Sequence, residues 1–311
     1  MPISTLPVPQ VPILHDSSSA ADAPLEWLSF GEARLKTAGI KDARREAEAL
    51  LLALLSLNRI DLYLGQARPL SEDARAIFIA WLERRSRHEP LQYITGEVEF
   101  CELHFGVAPG VFIPRPETEL IVEAASALRP KTILDICTGT GALAITLAKR
   151  FPNAAGTAID LSPLAIETAR INQKRHETNV RFLEGDLFSP LPSSLEGEGR
   201  GEGNCYDLIV CNPPYIAEED ADQMDPEVLE YEPPLALFSP DDGLAHIKKV
   251  LTDAPQFLAH GGTLMLEIGK GQSNILLDFI QKYTKFSVQI IQDCSAIDRI
   301  LVCSQGALPH G

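Results

Sequence analysis

The residue types and spacing best suited to chemistry lie at Asn212-Pro213-Pro214-Tyr215, directly after the apolar run 206–211. The run has strand composition, and the two prolines end it because neither can donate a backbone hydrogen bond. Asn212 is therefore expected at the carboxyl edge of a strand, where ligands bind in open α/β sheets. An amide with one acceptor and two donors, beside rigid prolines and an aromatic ring, suits recognition of a planar amide or amino group. An ordinary Pro-Pro turn after a buried strand would have the same residues. The upstream sequence decides between such a turn and a ligand site.

Three strand-like runs upstream each carry an acidic residue at or near the end, and the first leads into a glycine turn at Cys137-Thr138-Gly139-Thr140-Gly141. A dinucleotide site is an alternative, because Ala144 satisfies the last position of G-x-G-x-x-G/A. However, Asp135 before the turn would repel a pyrophosphate and attract the free ammonium of a sulfonium amino acid. Asp160, nineteen residues past Gly141, fits a ribose diol, and Asp186 or the adjacent Leu187 fits an adenine amino group. We therefore predict S-adenosylmethionine rather than NAD as the cofactor.

Alternating strand and helix patterns from Lys131 onward indicate a parallel sheet with helical crossovers. Two closing runs, 286–292 and 299–303, predict an antiparallel pair that completes a mixed seven-stranded sheet. Residues 24–89 read as a small helical bundle, with Asp42 and Ser71 as helix N-caps. Between these parts, the sequence predicts β-like runs at 93–100, 103–107 and 111–114 that form a hairpin. Residues 217–242 are predicted to form a long acidic loop, which is a lid or a partner surface.

Charge and composition limit the classes of partner. Net charge is −16, and residues 184–242 hold sixteen acidic residues against one basic residue. This imbalance argues against a nucleic acid as the main partner and is compatible with a basic protein, but a solvated acidic face explains the charge alone better. The six cysteines form no C-x-x-C pair, which predicts buried free thiols and no metal site. We expect a cytoplasmic protein, because no apolar run is long enough to span a bilayer and the first 24 residues lack the basic start of a secretory signal.

Five segments together resemble the HemK/PrmC family of class I S-adenosylmethionine-dependent methyltransferases. They are 90–96 (PLQYITG), 113–119 (IPRPETE), 135–141 (DICTGTG), 212–215 (NPPY) and 231–237 (YEPPLAL). The resemblance covers roughly residues 25–303, and the proline-arginine loop combined with Asn-Pro-Pro-Tyr is its most specific part. It implies a Rossmann-like seven-stranded mixed sheet with a small N-terminal helical bundle. It also implies methyl transfer to the side-chain amide nitrogen of the glutamine in the GGQ motif of class 1 peptide chain release factors.

The resemblance assigns roles to individual residues. Catalysis falls to Asn212, Pro213 and Tyr215, and substrate binding to these residues together with Pro214 and Arg115. The expected cofactor contacts are Cys137, Thr138, Gly139, Thr140, Gly141, Asp160, Asp186, Leu187 and Asn212. The expected partner is a release factor, with no direct nucleic acid contact, no membrane and a monomeric enzyme. The predicted domains are a disordered tail (1–23), a helical domain (24–90), a linker hairpin (91–115) and a methyltransferase domain (116–311) with a flexible insertion (193–204).

One departure from the family falls in a motif, two others (the 193–204 insertion and the proline-rich N-terminal tail) lie outside the motifs, and three alternatives remain. Cys137 replaces a glycine of the family, a tolerable change if that position does not need a positive φ. Enzymes that methylate a ribosomal protein glutamine often carry this cysteine, but their proline-arginine loop differs. Adenine-N6 DNA methyltransferases use the same Asn-Pro-Pro-Tyr chemistry but need a basic face and a target-recognition segment. A non-catalytic binding module would have a decayed cofactor turn, and here the turn is intact.

Overall fold

The computed structural model describes residues 23–64, 68–192 and 205–305. Nearly all of the predicted tail and the whole predicted insertion lie outside these ranges. The chain divides into two compact units, of which the first reaches Glu97 and also includes Pro226–Tyr231. The second unit comprises Val98–Asp225 and everything from Glu232 onward. These two units do not test the four-part division expected from the sequence, which stays a prediction.

The first unit is helical, as the sequence predicts. Its helices before Glu97 are α1 Pro24–Thr37, α2 Ala43–Leu55, α3 Arg59–Tyr63, α4 Glu72–Arg85 and α5 Leu91–Thr95. The Ser71 hydroxyl accepts from the Ala74 backbone N–H at 3.2 Å, which caps α4 as predicted. Asp42 occupies the N-cap position of α2, but its side chain makes no capping hydrogen bond. Leu50, Phe78 and Leu82 are fully buried, so apolar packing holds this unit together.

The predicted hairpin is present but shorter than expected. It consists of β1 Glu97–Phe100 and β2 Leu103–Gly106. Residues 93–95, expected to be extended, belong to α5, which ends at Gly96 in a left-handed conformation (φ 80°). A one-turn helix is too short for a periodic pattern, and this explains the error. Residues 111–114, also expected to be β-like, lie outside the strands.

The second unit contains the predicted mixed seven-stranded sheet, with strand order β5-β4-β3-β6-β7-β9-β8. Its strands are β3 Thr132–Ile136, β4 Ala155–Asp160, β5 Val180–Glu184, β6 Tyr206–Cys211, β7 Leu258–Glu267, β8 Phe286–Gln292 and β9 Asp298–Gln305. β3 to β7 are mutually parallel where they pair, whereas β9 runs antiparallel to both β7 and β8. The strand order reverses between β3 and β6, because β4 lies on one side of β3 and β6 on the other. Ligands bind at such a switch point in open α/β sheets.

Helices cover both faces of the sheet. They are α6 Glu119–Ala125, α7 Ala142–Arg150, α8 Pro163–His176, α11 Ala245–Asp253 and α12 Ser273–Tyr283. Leu134 and Ile209 pack into a cluster that includes α11 and α12, whereas Ile133 and Leu208 pack into a second cluster with α7 and α8. Successive strand residues point to opposite faces, so the apolar run of each parallel strand supplies both clusters. This double-sided burial fixes the strand ends, and with them the residues that follow the strands.

The predicted acidic loop 217–242 carries more structure than expected. It holds a 3-10 helix (Glu218–Gln223) and two short helices, α9 Pro226–Tyr231 and α10 Pro234–Leu237. α9 belongs to the first unit, where Glu227 pairs with Arg85 at 2.7 Å and the Tyr231 hydroxyl donates to the Arg87 carbonyl at 2.8 Å. None of the helices in the described ranges has the length and apolarity needed to cross a bilayer. The six cysteines are unpaired as predicted, but Cys205 and Cys294 are exposed rather than buried.

Candidate active site

The glycine turn and the Asn-Pro-Pro-Tyr segment meet at the switch point of the sheet. The turn follows β3 and Asn212 follows β6, and these two strands are parallel neighbours. Ile136 pairs with Cys211 in register, so residue 137 and Asn212 leave the sheet at the same level. The structure thus brings together the two motifs that the sequence separates by more than seventy positions.

The turn has the open shape that a bound ligand needs. Gly139 and Gly141 both adopt positive φ, at 56° and 79°. The Thr138 N–H donates to the Ile159 carbonyl at 3.0 Å, and the Gly141 N–H donates to the Thr138 carbonyl at 2.9 Å, so the turn is held at both ends. A Cβ added at Gly139 would meet no heavy atom within 4 Å, which shows free space beside the turn. Thr138 and Thr140 are buried, so the backbone rather than these side chains faces that space.

Cys137 has a backbone conformation that its residue type does not predict. Its φ is 60°, in the left-handed region that costs an L-residue roughly 1–2 kcal/mol. The position therefore does need a positive φ. The replacement of the family's glycine by Cys137 thus introduces backbone strain. The Cys137 side chain packs at the edge of the cluster that contains Cys211, and it raises the pKa of the Cys211 thiol further beyond the effect of burial. Apolar contacts thus offset part of the backbone cost.

Asp135 lies beneath the turn, fully buried. Its Oδ2 atom accepts from the Thr138 hydroxyl at 2.6 Å and from the Ala144 N–H at 3.2 Å. Its Oδ1 atom has no hydrogen-bond partner among the described residues. Burial raises the pKa of Asp135 to about 7, although its hydrogen bonds oppose that shift. A buried carboxylate oxygen without a partner beside a ligand turn fits attraction of a cationic group.

Asp160 at the end of β4 is joined directly to the turn. Its Oδ2 atom accepts from the Gly139 N–H at 2.8 Å, and its Oδ1 atom accepts from the Ser162 N–H at 2.9 Å. Burial raises its pKa, while these backbone hydrogen bonds oppose the shift. Each carboxylate oxygen keeps a second lone pair, so Asp160 can still accept hydrogen bonds from a ligand diol. The carboxylate thus fixes the turn and supplies acceptors at the same edge.

Asp186 and Leu187, the third predicted pair, have different environments. The Asp186 side chain is half exposed, and its Oδ2 atom lies 3.7 Å from the Lys249 ammonium. Leu187 is buried in the core with a positive φ of 49°. The Leu187 side chain is buried and the Asp186 carboxylate points outward. A contact between adenine and either residue therefore stays a prediction.

The Asn212 side chain is the first member of a buried hydrogen-bond network. Its Nδ2 atom donates to the Thr118 hydroxyl oxygen at 2.9 Å. The Thr118 hydroxyl donates in turn to Oε2 of Glu267 at 2.6 Å, and Thr118 and Glu267 are 4% and 1% exposed. The NH2 group of the Asn212 amide is thus hydrogen-bonded to the protein. Within the network, no described residue donates a hydrogen bond to the Oδ1 atom. The amide is positioned with its acceptor available.

Tyr215 is joined to the same carboxylate. Its hydroxyl donates to Oε1 of Glu267 at 3.1 Å, and its backbone carbonyl accepts from the Gln272 side chain at 2.9 Å. Burial and the neighbouring Glu267 raise the pKa of Tyr215, so the hydroxyl stays protonated. Burial also raises the pKa of Glu267 to about 7, while the hydrogen bonds from Thr118 and Tyr215 lower it. Pro213 and Pro214 between the two polar side chains are buried, which makes the segment rigid.

Arg115 contacts a glutamate rather than open solvent. Its guanidinium pairs with the buried carboxylate of Glu232 and lies over the Phe112 ring at 4.8 Å. Oε2 of Glu232 also accepts from the Ile113 N–H at 3.2 Å. The proline-arginine loop is thereby fastened to the segment that begins the second half of the acidic loop. Its predicted contact with substrate stays a prediction.

Three residues of this site, Thr118, Glu232 and Glu267, were not predicted as site residues. Glu267 had a signal, because it is an acid at the carboxyl end of an apolar strand, as are Asp135 and Asp160. Glu232 lies in a motif that the family resemblance already singled out. Thr118 likewise lies in such a motif, at 113–119, but its residue type gave no signal of its own, since a threonine near a helix start is ordinary.

Two family models match this chain, and together with the sheet they define its fold class. Residues 129–270 match a family model described as a methyltransferase domain, and residues 26–96 match one described as the PrmC N-terminal domain. With the seven-stranded mixed sheet, these matches define a class I methyltransferase fold. A methyltransferase structure from Pyrococcus furiosus aligns with 67% of this chain and 91% of its own, with a TM-score of 0.47 at 21% identity.

Two relatives specify the family. A release factor glutamine methyltransferase of Geobacter sulfurreducens is 41% identical over 276 residues, which cover 88% of this chain and 94% of that protein. A protein of the same name from Koribacter versatilis is 36% identical over 272 residues, which cover 86% and 93%. The chain belongs to the release factor glutamine methyltransferase family.

Proposed function

We propose that this protein transfers a methyl group from S-adenosylmethionine to the side-chain amide nitrogen of a glutamine in a class 1 peptide chain release factor. Membership of the family and the names of its relatives support the reaction. The observation that carries the proposal is the Asn212 amide, which donates to Thr118 and keeps its Oδ1 atom available at the switch point of the sheet. An acceptor held there is what a primary amide with two N–H groups requires.

The residues around the turn fit the proposed cofactor. The Asp160 carboxylate would accept from the ribose hydroxyls, and the turn at 137–141 would lie against the amino-acid end, with Asp135 beneath its ammonium. Asp186 and Leu187 would contact the adenine. When bound, S-adenosylmethionine supplies an electrophilic methyl group on a sulfonium.

Asn212 and Pro213 perform the positioning that this reaction needs. A carboxamide nitrogen is a poor nucleophile because its lone pair is delocalised into the carbonyl. Asn212 Oδ1 accepts one amide N–H and the Pro213 carbonyl accepts the other, which directs the nitrogen at the methyl group. Such positioning supplies several kcal/mol, on the order of a hundredfold or more in rate. The same acceptors stabilise the positive charge that develops on nitrogen.

Two further residues line the proposed glutamine site. Tyr215, whose hydroxyl is held by Glu267, packs its ring against the glutamine side chain. Arg115, held by Glu232, forms part of the wall. No strong general base is required. Methyl transfer leaves the amide nitrogen protonated and positively charged, and this cation is acidic enough to release its proton to water. We further propose that the enzyme acts as a monomer in the cytoplasm and needs no direct contact with nucleic acid.

A parallel acceptor assay tests the substrate. Purified enzyme and radiolabelled S-adenosylmethionine are incubated separately with a class 1 release factor, a ribosomal protein substrate of glutamine methyltransferases and duplex DNA. We expect label on the release factor and none on the other two, because the site recognises a protein amide. A release factor with its GGQ glutamine changed to glutamate is the matched control and should stay unlabelled. Label on DNA or on the ribosomal protein instead would contradict the proposal.

A further inference from the structure

A buried carboxylate reaches the predicted catalytic amide through one hydroxyl group. Glu267 is the last residue of β7, and its neighbour Leu266 pairs in register with Cys211, the residue before Asn212. Its Oε2 atom accepts from Thr118 at 2.6 Å, and Thr118 accepts from Asn212 at 2.9 Å. We propose that Glu267, acting through the Thr118 hydroxyl, is a positioning residue that fixes which way round the Asn212 amide lies. This inference rests on the proposed function and adds residues to its site.

The direction of the hydrogen bonds carries the argument. An ionised carboxylate only accepts, so the single hydroxyl hydrogen of Thr118 must point at Glu267. The lone pairs of the Thr118 oxygen therefore face Asn212, and only the NH2 half of the amide can bond to them. Oδ1 is left on the opposite side, as an acceptor for a substrate N–H. If the Thr118 hydrogen were free, it could donate to Oδ1, and the amide would then turn its donors toward a substrate NH2.

The same carboxylate holds the other polar side chain of the Asn-Pro-Pro-Tyr segment. Its Oε1 atom accepts from the Tyr215 hydroxyl at 3.1 Å. Glu267 thus anchors Asn212 at one oxygen, through Thr118, and Tyr215 at the other. A carboxylate that is 1% exposed is costly to bury. Its two oxygens are used to orient the two side chains that the reaction needs.

The charge on Glu267 decides whether this network works. The titratable and charged groups around it are Tyr215, Glu117, Arg299 and Cys211. The Arg299 guanidinium is engaged with Asp293 at 2.9 Å and lowers the pKa of Glu267, while Glu117 raises it. Burial dominates and raises that pKa to about 7. Protonation below this range gives Glu267 a hydrogen to donate, which removes its acceptor-only character and releases the Thr118 hydroxyl.

Thr118→Val and Thr118→Ser form the decisive pair of variants. Valine keeps the shape of threonine and removes the hydroxyl, whereas serine keeps the hydroxyl. We expect Thr118→Val to lower kcat about 30-fold to 100-fold with the KM for the release factor within about twofold, because misorientation affects the reacting geometry more than binding. Thr118→Ser should retain kcat within about threefold. The dissociation constant for S-adenosylmethionine, measured by calorimetry, reports that each variant is folded.

The pH dependence separates positioning from a merely structural role. At saturating cofactor, kcat of the wild type and of Thr118→Ser should fall as pH drops through about 7. The residual kcat of Thr118→Val and the kcat of Glu267→Gln should be flat from about pH 6 to about pH 8, because the titration is uncoupled or absent. Burial raises the pKa of Asp135 to about 7 as well, but Asp135 lies at the cofactor turn, so its protonation acts on cofactor binding, which kcat at saturating cofactor does not report.

Each outcome is decisive. An unchanged kcat in Thr118→Val, or an acid limb that persists in Glu267→Gln, overturns the positioning role while the proposed function stands. An equal loss in the serine and valine variants shows that packing rather than the hydroxyl matters, and also overturns it. Absence of release factor methylation by the wild type overturns the proposed function and this inference with it.

Discussion

Asn212→Ala is expected to lower kcat for release factor methylation by about a thousandfold, because the variant loses the acceptor that orients the amide nitrogen. The dissociation constant for S-adenosylmethionine should change by less than about threefold, since Asp160 and the glycine turn, which supply most of the expected cofactor contacts, stay in place. Steady-state kinetics at saturating substrates measure the first quantity and calorimetry the second. Activity within about tenfold of the wild type would contradict the role of Asn212.

Asn212→Asp tests the polarity of the site rather than its size. The variant keeps an acceptor but loses the donor that bonds to the Thr118 hydroxyl oxygen. One hydroxyl hydrogen then serves two carboxylates, so either the introduced carboxylate or Glu267 must take up a proton or lose its hydrogen bond. We expect kcat to fall about a hundredfold at neutral pH, and we expect the activity that remains to be higher at lower pH. An Asn212→Asp enzyme with the kcat and pH profile of the wild type would show that the amide donor is unimportant.

Asp160→Ala is expected to weaken S-adenosylmethionine binding about a hundredfold. Two hydrogen bonds from the ribose to a carboxylate contribute about 3 kcal/mol together, which corresponds to that factor. The variant also loses the bond that holds the Gly139 N–H at 2.8 Å. Asp160→Asn should lie between, at about tenfold, because its single oxygen can replace only one acceptor. Isothermal titration of the cofactor measures both variants.

Glu184→Gln is the matched control for this prediction. Glu184 pairs in register with Asp160 at the end of the neighbouring strand β5, but its side chain is exposed. It carries the same charge at the same edge and makes no hydrogen bond to the turn among the described residues. We expect its effect on cofactor affinity to stay below about twofold, since exposed charges interact weakly. Equal losses in the Asp160 and Glu184 variants would mean that net charge, not a ribose contact, governs binding.

Long elements with a strong apolar pattern were predictable from sequence. The sequence predicts helices over 142–150 and 273–283 and a strand over 286–292, and α7, α12 and β8 have these bounds. Their apolar patterns are clear, so the pattern indicates where each one begins and ends. The sequence predicts only a loop over 217–242, because α9 and α10 are each shorter than two turns. Their proline starts were visible at Pro226 and Pro234, but a proline marks a turn as readily as a helix start.

The site was predictable where it follows the strands and not where it depends on tertiary contacts. Asp160 and Asn212 follow strands directly, so the topology alone brings them to one edge. The bond from Thr118 to Glu267 joins residues 149 positions apart, and nothing in either local sequence indicates the other. The positive φ of Cys137 was hidden for a different reason, since the strain of a turn depends on backbone geometry that a residue type does not determine.

The position of the transferred methyl group is the most direct test of the account. The release factor is incubated with enzyme and S-adenosylmethionine, digested, and its peptides are fragmented in a mass spectrometer. We predict the mass of one methyl group on the side-chain amide of the GGQ glutamine, and its absence when the Asn212→Ala enzyme is used. A methyl group on another residue, or on that glutamine with the Asn212→Ala enzyme at the wild-type rate, would contradict the claim that Asn212 orients a glutamine amide for transfer.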